Sequence, residues 1–192
     1  MSTDRQKSFI AELSTNFGHL HFPRLTHNKK VTMQPPKHYK YEGTLDISNY
    51  LFADSKNPNN TLRFYFRCTA NHYHIYIRTP GAYYGSILGM NKYKTIIATE
   101  NKDAANFNLL DKNGNVITLD DISSNKLSLT IQTTHGVPLT GTKYMYSHDG
   151  HHVNAGGGGS NLVFHLNIIE RNASYVDNPD EGRSQGASAT VS

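Results

Sequence analysis

Tryptophan is absent from these 192 residues and cysteine occurs once, while Tyr occurs twelve times and Phe eight times. A single cysteine excludes an internal disulfide, so no covalent staple holds the fold. That residue, Cys68, stands in Phe64-Tyr65-Phe66-Arg67-Cys68 and reads as a buried, inert thiol rather than a nucleophile. No apolar run approaches the length that crosses a membrane, and Met1–Lys7 carries no hydrophobic signal region. Synthesis in the cytosol is the expectation, with any release being non-classical. The sequons Asn59-Asn60-Thr61 and Asn172-Ala173-Ser174 therefore carry little weight.

Charge is also sparse. Charged residues make up 18% and apolar residues 36% of the chain, both below the usual globular share. The net charge is +4, but basic runs such as Lys29-Lys30 are short and scattered, with no basic helix and no ribonucleoprotein-type strand. This excludes nucleic acid as the expected partner. Enzyme signatures are missing too: there is no Gly-x-Ser-x-Gly elbow, no Gly-x-x-x-x-Gly-Lys phosphate loop and no His-Glu-x-x-His. Gly156–Gly159 precedes no Lys-Ser/Thr and no helix, and Asp120-Asp121, if extended, points its two side chains to opposite faces. The reading is a protein that binds rather than reacts, with no cofactor.

What the chain does contain is a frame that recurs three times. Ala98 is followed nine residues later by Phe107 and then by Leu109; Ala155 is followed in the same way by Phe164 and Leu166, and Ala53 by Leu62 and Phe64. An apolar residue stands two before each alanine: Leu51, Ile96 and Val153. The physical content is strand, polar loop, strand, because side chains two apart in a strand share one face. The alanines lie 45 and 57 residues apart, which reads as three copies with insertions in the last. A single copy could not bury its apolar face alone, so the copies are expected to pack around a shared core.

Around this frame, strands are expected at His19–Phe22, Val31–Met33, Tyr39–Glu42, His74–Thr79, Val116–Leu119, Leu127–Ile131 and Phe164–Ile169, with Tyr83–Ile87 beginning a returning strand. Asp111–Asn115 is the clearest hairpin signal. Phe9, Ile10 and Leu13 have the spacing of a short helical turn. The expected layout is an N-terminal arm at 1–16, one domain at 17–170 and a disordered tail at 171–192.

Three units of about four short strands, each ending near Phe-x-Leu, resemble a β-trefoil; the second, with Tyr76-Ile77-Arg78-Thr79, Tyr83-Tyr84-Gly85, Ala98-Thr99 and Phe107-Asn108-Leu109, is similar to fascin-like and lectin-like trefoil repeats. That resemblance implies an all-β fold in which six strands close a barrel and three hairpins cap its open end. A β-sandwich is the alternative, and it would make the repeat accidental. Ricin-type trefoils share a Gln-x-Trp motif that a chain without tryptophan lacks, so no ricin-type galactose site is carried over.

Two clusters are candidate ligand sites. His148-Asp149-Gly150-His151-His152, with Asn154 just beyond, would converge at one tip if Tyr144–Ser147 paired with His152–Ala155 across Asp149-Gly150. In the second unit Tyr83, Tyr84, Asn91 and Tyr93 would offer rings beside an amide. Such groups suit sugars, since rings pack on the apolar sugar face while amides, carboxylates and imidazoles grasp hydroxyls. The plainer readings are a solvated hairpin tip for the first cluster and tyrosines packed into the hairpin cap for the second. His72-Tyr73-His74 reads as packing, with His74 and Tyr76 on one face. Imidazoles bind zinc, but no recognised ligand spacing is present.

The resemblance thus implies a non-enzymatic, lectin-like module for a cell-surface glycan or glycoprotein, of the kind that serves defence or toxin delivery. The alternative partner is a protein: a protease whose cleft receives the Asn57–Asn60 loop or Gly156–Ser160, or a cytoskeletal component.

Overall fold

A computed structural model describes residues 2–34, 43–55, 61–100, 103–143 and 150–174. Within them the strands run β1 (Phe9–Thr15), β2 (Gly18–His21), β3 (Thr32–Met33), β4 (Leu45–Asp46), β5 (Phe52–Asp54), β6 (Arg63–Thr69), β7 (His72–Ile77) and β8 (Ile87–Met90). They continue as β9 (Ile96–Thr99), β10 (Phe107–Leu110), β11 (Val116–Ile117), β12 (Lys126–Thr133), β13 (Leu139–Lys143), β14 (His151–Ala155), β15 (Ser160–Asn161) and β16 (Phe164–Arg171). One short helix, α1, occupies Pro23–His27.

Six of these strands close a barrel. β1 pairs with β6, β6 with β7, β7 with β10, β10 with β12, β12 with β16, and β16 returns to β1, all antiparallel. Closure removes the exposed edges that so strand-rich a chain would otherwise present, and a sandwich of two separate sheets would not make this circuit. Alternation does the rest: Phe9, Ala11 and Leu13 on β1, Tyr73, Ile75 and Ile77 on β7, and Phe164, Leu166 and Ile168 on β16 all face inward and are buried. The Phe9 and Phe66 rings stack at 4.5 Å, with Tyr73 edge-on to both. The Tyr73 hydroxyl donates to the Lys7 carbonyl at 3.2 Å and accepts from the Leu119 N–H at 3.0 Å, tying two connections to the barrel. Cys68 is buried, and burial pushes its thiol up.

Three antiparallel pairs, β2 with β5, β8 with β9 and β13 with β14, lie beyond the barrel. Their second strands bond to one another: Leu51 N–H to the Ile96 carbonyl, Val153 N–H to the Leu51 carbonyl and Ala155 N–H to the Lys94 carbonyl, at 2.8–2.9 Å. Each copy of the repeated frame runs from this hub to a barrel stave. Leu51, Ala53, Ile96, Ala98, Val153 and Ala155 are buried at the hub; Leu62, Phe107 and Phe164 are buried nine residues after each alanine, and Phe64, Leu109 and Leu166 eleven residues after.

Several expectations are corrected here. Phe9–Leu13 is not a helical turn but part of β1, because its partners on β6 and β16 bury every second residue of an alternating segment. The segment expected as an arm therefore supplies a stave, and Ala173, beyond the last strand, is buried with its N–H on the Ser8 carbonyl. Between β2 and β5, the described residues 22–34 and 43–50 contain α1, β3 and β4, and form a flap whose Val31, Met33 and Leu45 pack on Ile47, Tyr50, Phe52 and Ile97. Helix α1 starts on Pro23, which fits a first helical position, and stops at Asn28 in a left-handed conformation. Asp120 and Asp121 are not extended: Leu119–Asp121 is a 3-10 turn in which the Asp121 carboxylate accepts from the Thr118 N–H at 2.8 Å. The Asp111 hairpin forms as expected, with the Asn113 and Asn115 N–H groups on Asp111 Oδ1. Of the tail expected at 171–192, Arg171 ends β16, and residues 175–192 lie outside the described residues, as do Tyr39–Glu42 and the Asn57–Asn60 loop.

Candidate functional site

The expected binding residues fall into three groups with different neighbours. Asn91 and Tyr93 occupy the turn between β8 and β9. Asn91 Oδ1 accepts from the N–H groups of Tyr93 at 2.9 Å and Thr95 at 3.1 Å, so this amide shapes the turn. Tyr93 stands 42% exposed on that turn, with Lys92 Nζ 5.0 Å from its ring centroid. Asn154 meets this turn from β14, bridging Thr95. It is buried, its Nδ2 donates to the His152 carbonyl at 3.4 Å, and its Oδ1 has no hydrogen-bond partner.

His151 belongs to a second group. Its ring stacks on Phe17, from the β1–β2 turn, at 4.1 Å and 19°. Burial and the Lys143 ammonium hold His151 below its ordinary value, with Asp54 opposing them. Residues 144–147, expected to pair with 152–155, lie outside the described residues; β14 pairs with Leu139–Lys143, placing His152 opposite Thr142 and Asn154 opposite Thr140. Gly141 permits this, because a Cβ there would come within 3.0 Å of the Phe17 ring. As a result His152 is 2% exposed, 4.2 Å from the Phe52 ring, and burial lowers its pKa to about 4. It is a hub residue, not a tip residue. His148 and Asp149 lie outside the described residues.

Tyr83 and Tyr84 form the third group, and they sit in a turn rather than in the returning strand, which begins at Ile87. The Tyr84 N–H bonds the Gly81 carbonyl and the Gly85 N–H the Ile77 carbonyl, which bends the chain before β8 can start. Tyr83 packs on Phe22 at 5.3 Å and is half-buried; burial raises its hydroxyl, and the nearby Arg24 charge counters this. One face of Tyr84 carries the Arg78 guanidinium, 5.0 Å from the ring centroid.

His72 and His74 share the outer face of β7, their rings 5.8 Å apart. Burial lowers His74, as do His72 and Arg67. Among the described residues no group of three or more His, Cys, Asp or Glu side chains gathers in a metal-binding arrangement, and no helix is long and apolar enough to cross a membrane.

Beside the third group lies a feature that the residue-by-residue reading passed over. Arg24, Lys29, Lys30 and Asp46 of the flap face Pro80–Ala82 of the β7–β8 turn across a groove of about 520 Å³. The signal was in the sequence: residues 13–41 contain five Lys or Arg and no Asp or Glu, against a net +4 for the whole chain. Short basic runs concealed it because folding, not adjacency, brings Arg24 beside Lys29 and Lys30. Compared with known proteins, the chain matches no family model and no curated protein.

Proposed function

We propose that this chain is a β-trefoil whose hairpin tips bind carbohydrate, a lectin-like module for glycans on cell surfaces. The closed barrel, the three strand pairs beyond it and the hub their second strands form all suit that architecture, and they present turns outward from a rigid base. The observation that carries the binding reading is Tyr93, exposed on a turn whose geometry Asn91 holds. A ring presented this way loses little conformational freedom on packing against a sugar face, and the adjoining amide and ammonium groups suit hydroxyls. His151 on Phe17 offers a second such surface, and two weak sites reinforce one another on a dense glycan layer.

The test is a glycan array probed with the purified protein and with Tyr93→Ala and His151→Ala. Selective binding that Tyr93→Ala reduces by about tenfold or more, with the far-ultraviolet dichroism unchanged, is the expected outcome. A folded protein silent across the array would end the lectin reading and bring a protein partner forward.

A further inference from the structure

The groove between the flap and the β7–β8 turn is built from two kinds of surface. Its floor is apolar: Leu25 lies under Gly81 so closely that a Cβ on that glycine would come 2.8 Å from Leu25 Cδ2. Its walls are cationic. Arg24, Lys29 and Lys30 stand exposed, and the anion set against them is Asp46, paired with Lys30 at 3.3 Å.

The walls are held in place from below. Buried Ser48 accepts the Arg24 N–H on its carbonyl at 3.2 Å and the Val31 N–H on its hydroxyl at 2.8 Å, while its own N–H donates to Asp46 Oδ1 at 3.0 Å. One residue thus fixes the start of α1, the entry to β3 and the orientation of Asp46. Tyr83 packs on Phe22, the residue that precedes α1.

We infer that this groove is a binding subsite for an anionic saccharide, a sugar ring bearing a sulfate or carboxylate group. An apolar floor accepts the C–H face of a ring, and among the described residues the excess of three cations over one carboxylate favours a negative substituent. A volume of about 520 Å³ falls within the range of small-ligand pockets rather than that of an extended track. Among the described residues no aromatic side chain lines the groove, so they supply no stacking platform of the kind that single-stranded nucleic acid uses. Asp46, with its carboxylate held by Ser48 and Lys30, suits a neighbouring hydroxyl of the sugar ring. The inference rests on the lectin reading and adds a chemical class to it at a separate place.

The experiment is calorimetric titration of the full chain with four probes: a sulfated uronate-containing tetrasaccharide, its desulfated counterpart, a neutral tetrasaccharide and a short single-stranded RNA. Wild-type protein is expected to prefer the sulfated sugar over the neutral one by about tenfold, with the preference shrinking in added salt. The double variant Lys29→Gln/Lys30→Gln, whose side chains are solvent-exposed, removes that preference, while Lys29→Arg/Lys30→Arg retains it. The desulfated uronate probe, falling between the two, separates carboxylate from sulfate as the favoured group. Equal affinity for sulfated and neutral sugars overturns the groove and leaves the hairpin-tip site standing. RNA binding as tightly as the sulfated sugar overturns it in favour of general polyanion attraction. Sulfated-sugar binding that the Gln variant abolishes, with no neutral binding at all, upholds the groove and sinks the tip site instead.

Discussion

The barrel and the hub bury their interiors in different ways. Inside the barrel the largest buried side chains are Phe9, Phe64, Phe66, Phe107, Phe164 and Tyr73, and the one polar tip among them, the Tyr73 hydroxyl, is bonded on both its donor and acceptor sides. At the hub, His152, Asn154, Thr95 and Thr140 are buried among strands of three to five residues. The difference follows from ladder length. A closed ring satisfies its backbone groups continuously, so its interior has only to be filled. Where three short strands converge, pairing dwindles to single bridges such as Tyr50 with Ile97 and Thr95 with Asn154, and polar side chains persist among the apolar ones.

The strongest test of this contrast is a cavity in the barrel. Phe107 is fully buried, so Phe107→Ala is expected to destabilise the fold by about 4 kcal/mol, read as a shift in the urea midpoint. A loss near zero would mean that the ring of staves is not the stabilising unit. Next comes acid. His152 has an ordinary value of 6.5 and a folded value of about 4, so between those pH values the unfolded chain takes up a proton that the folded chain refuses. Stability therefore falls as pH drops through that window, by about 3 kcal/mol in all. The difference between wild type and His152→Phe, followed by urea unfolding across the window, isolates this slope. A difference independent of pH would show that the hub imidazole charges without penalty. The smallest effect belongs to Asn154→Ala. Its amide oxygen has no partner to lose, so removal is expected to change stability by about 1 kcal/mol or less. A loss as large as that of Phe107→Ala would erase the distinction between the two layers.

Much of the barrel was legible in the sequence, and for a simple reason. Alternation in His74–Thr79, Leu127–Ile131 and Phe164–Ile169 reports burial directly, since a strand with one face inward must repeat at period two. The repeated alanine frame was legible because its spacing stands in the sequence itself, and each alanine and the apolar residue two before it are buried where these strands meet. The first stave was misjudged because Phe9, Ile10 and Leu13 satisfy a helical spacing as well as a strand pattern, and the partners that decide between them lie about 55 and 160 residues away. Of the candidate site, Tyr93 and Asn91 could be proposed from residue type alone. The roles of His152 and Asn154 could not, because whether a polar side chain ends on a tip or in a hub depends on the register of β13 against β14.

By itself, then, the sequence determined the all-β class, the threefold recurrence and the absence of a disulfide, since these follow from side-chain alternation, spacing and a count of cysteines. Only the tertiary structure decided that residues 9–15 close the barrel, that α1, β3 and β4 form a flap, and that Arg24, Lys29 and Lys30 share one groove with Pro80–Ala82. The physical reason is distance along the chain. Local propensity acts within a few residues, whereas barrel closure and a groove wall are each made by segments that meet only when the whole ring is complete.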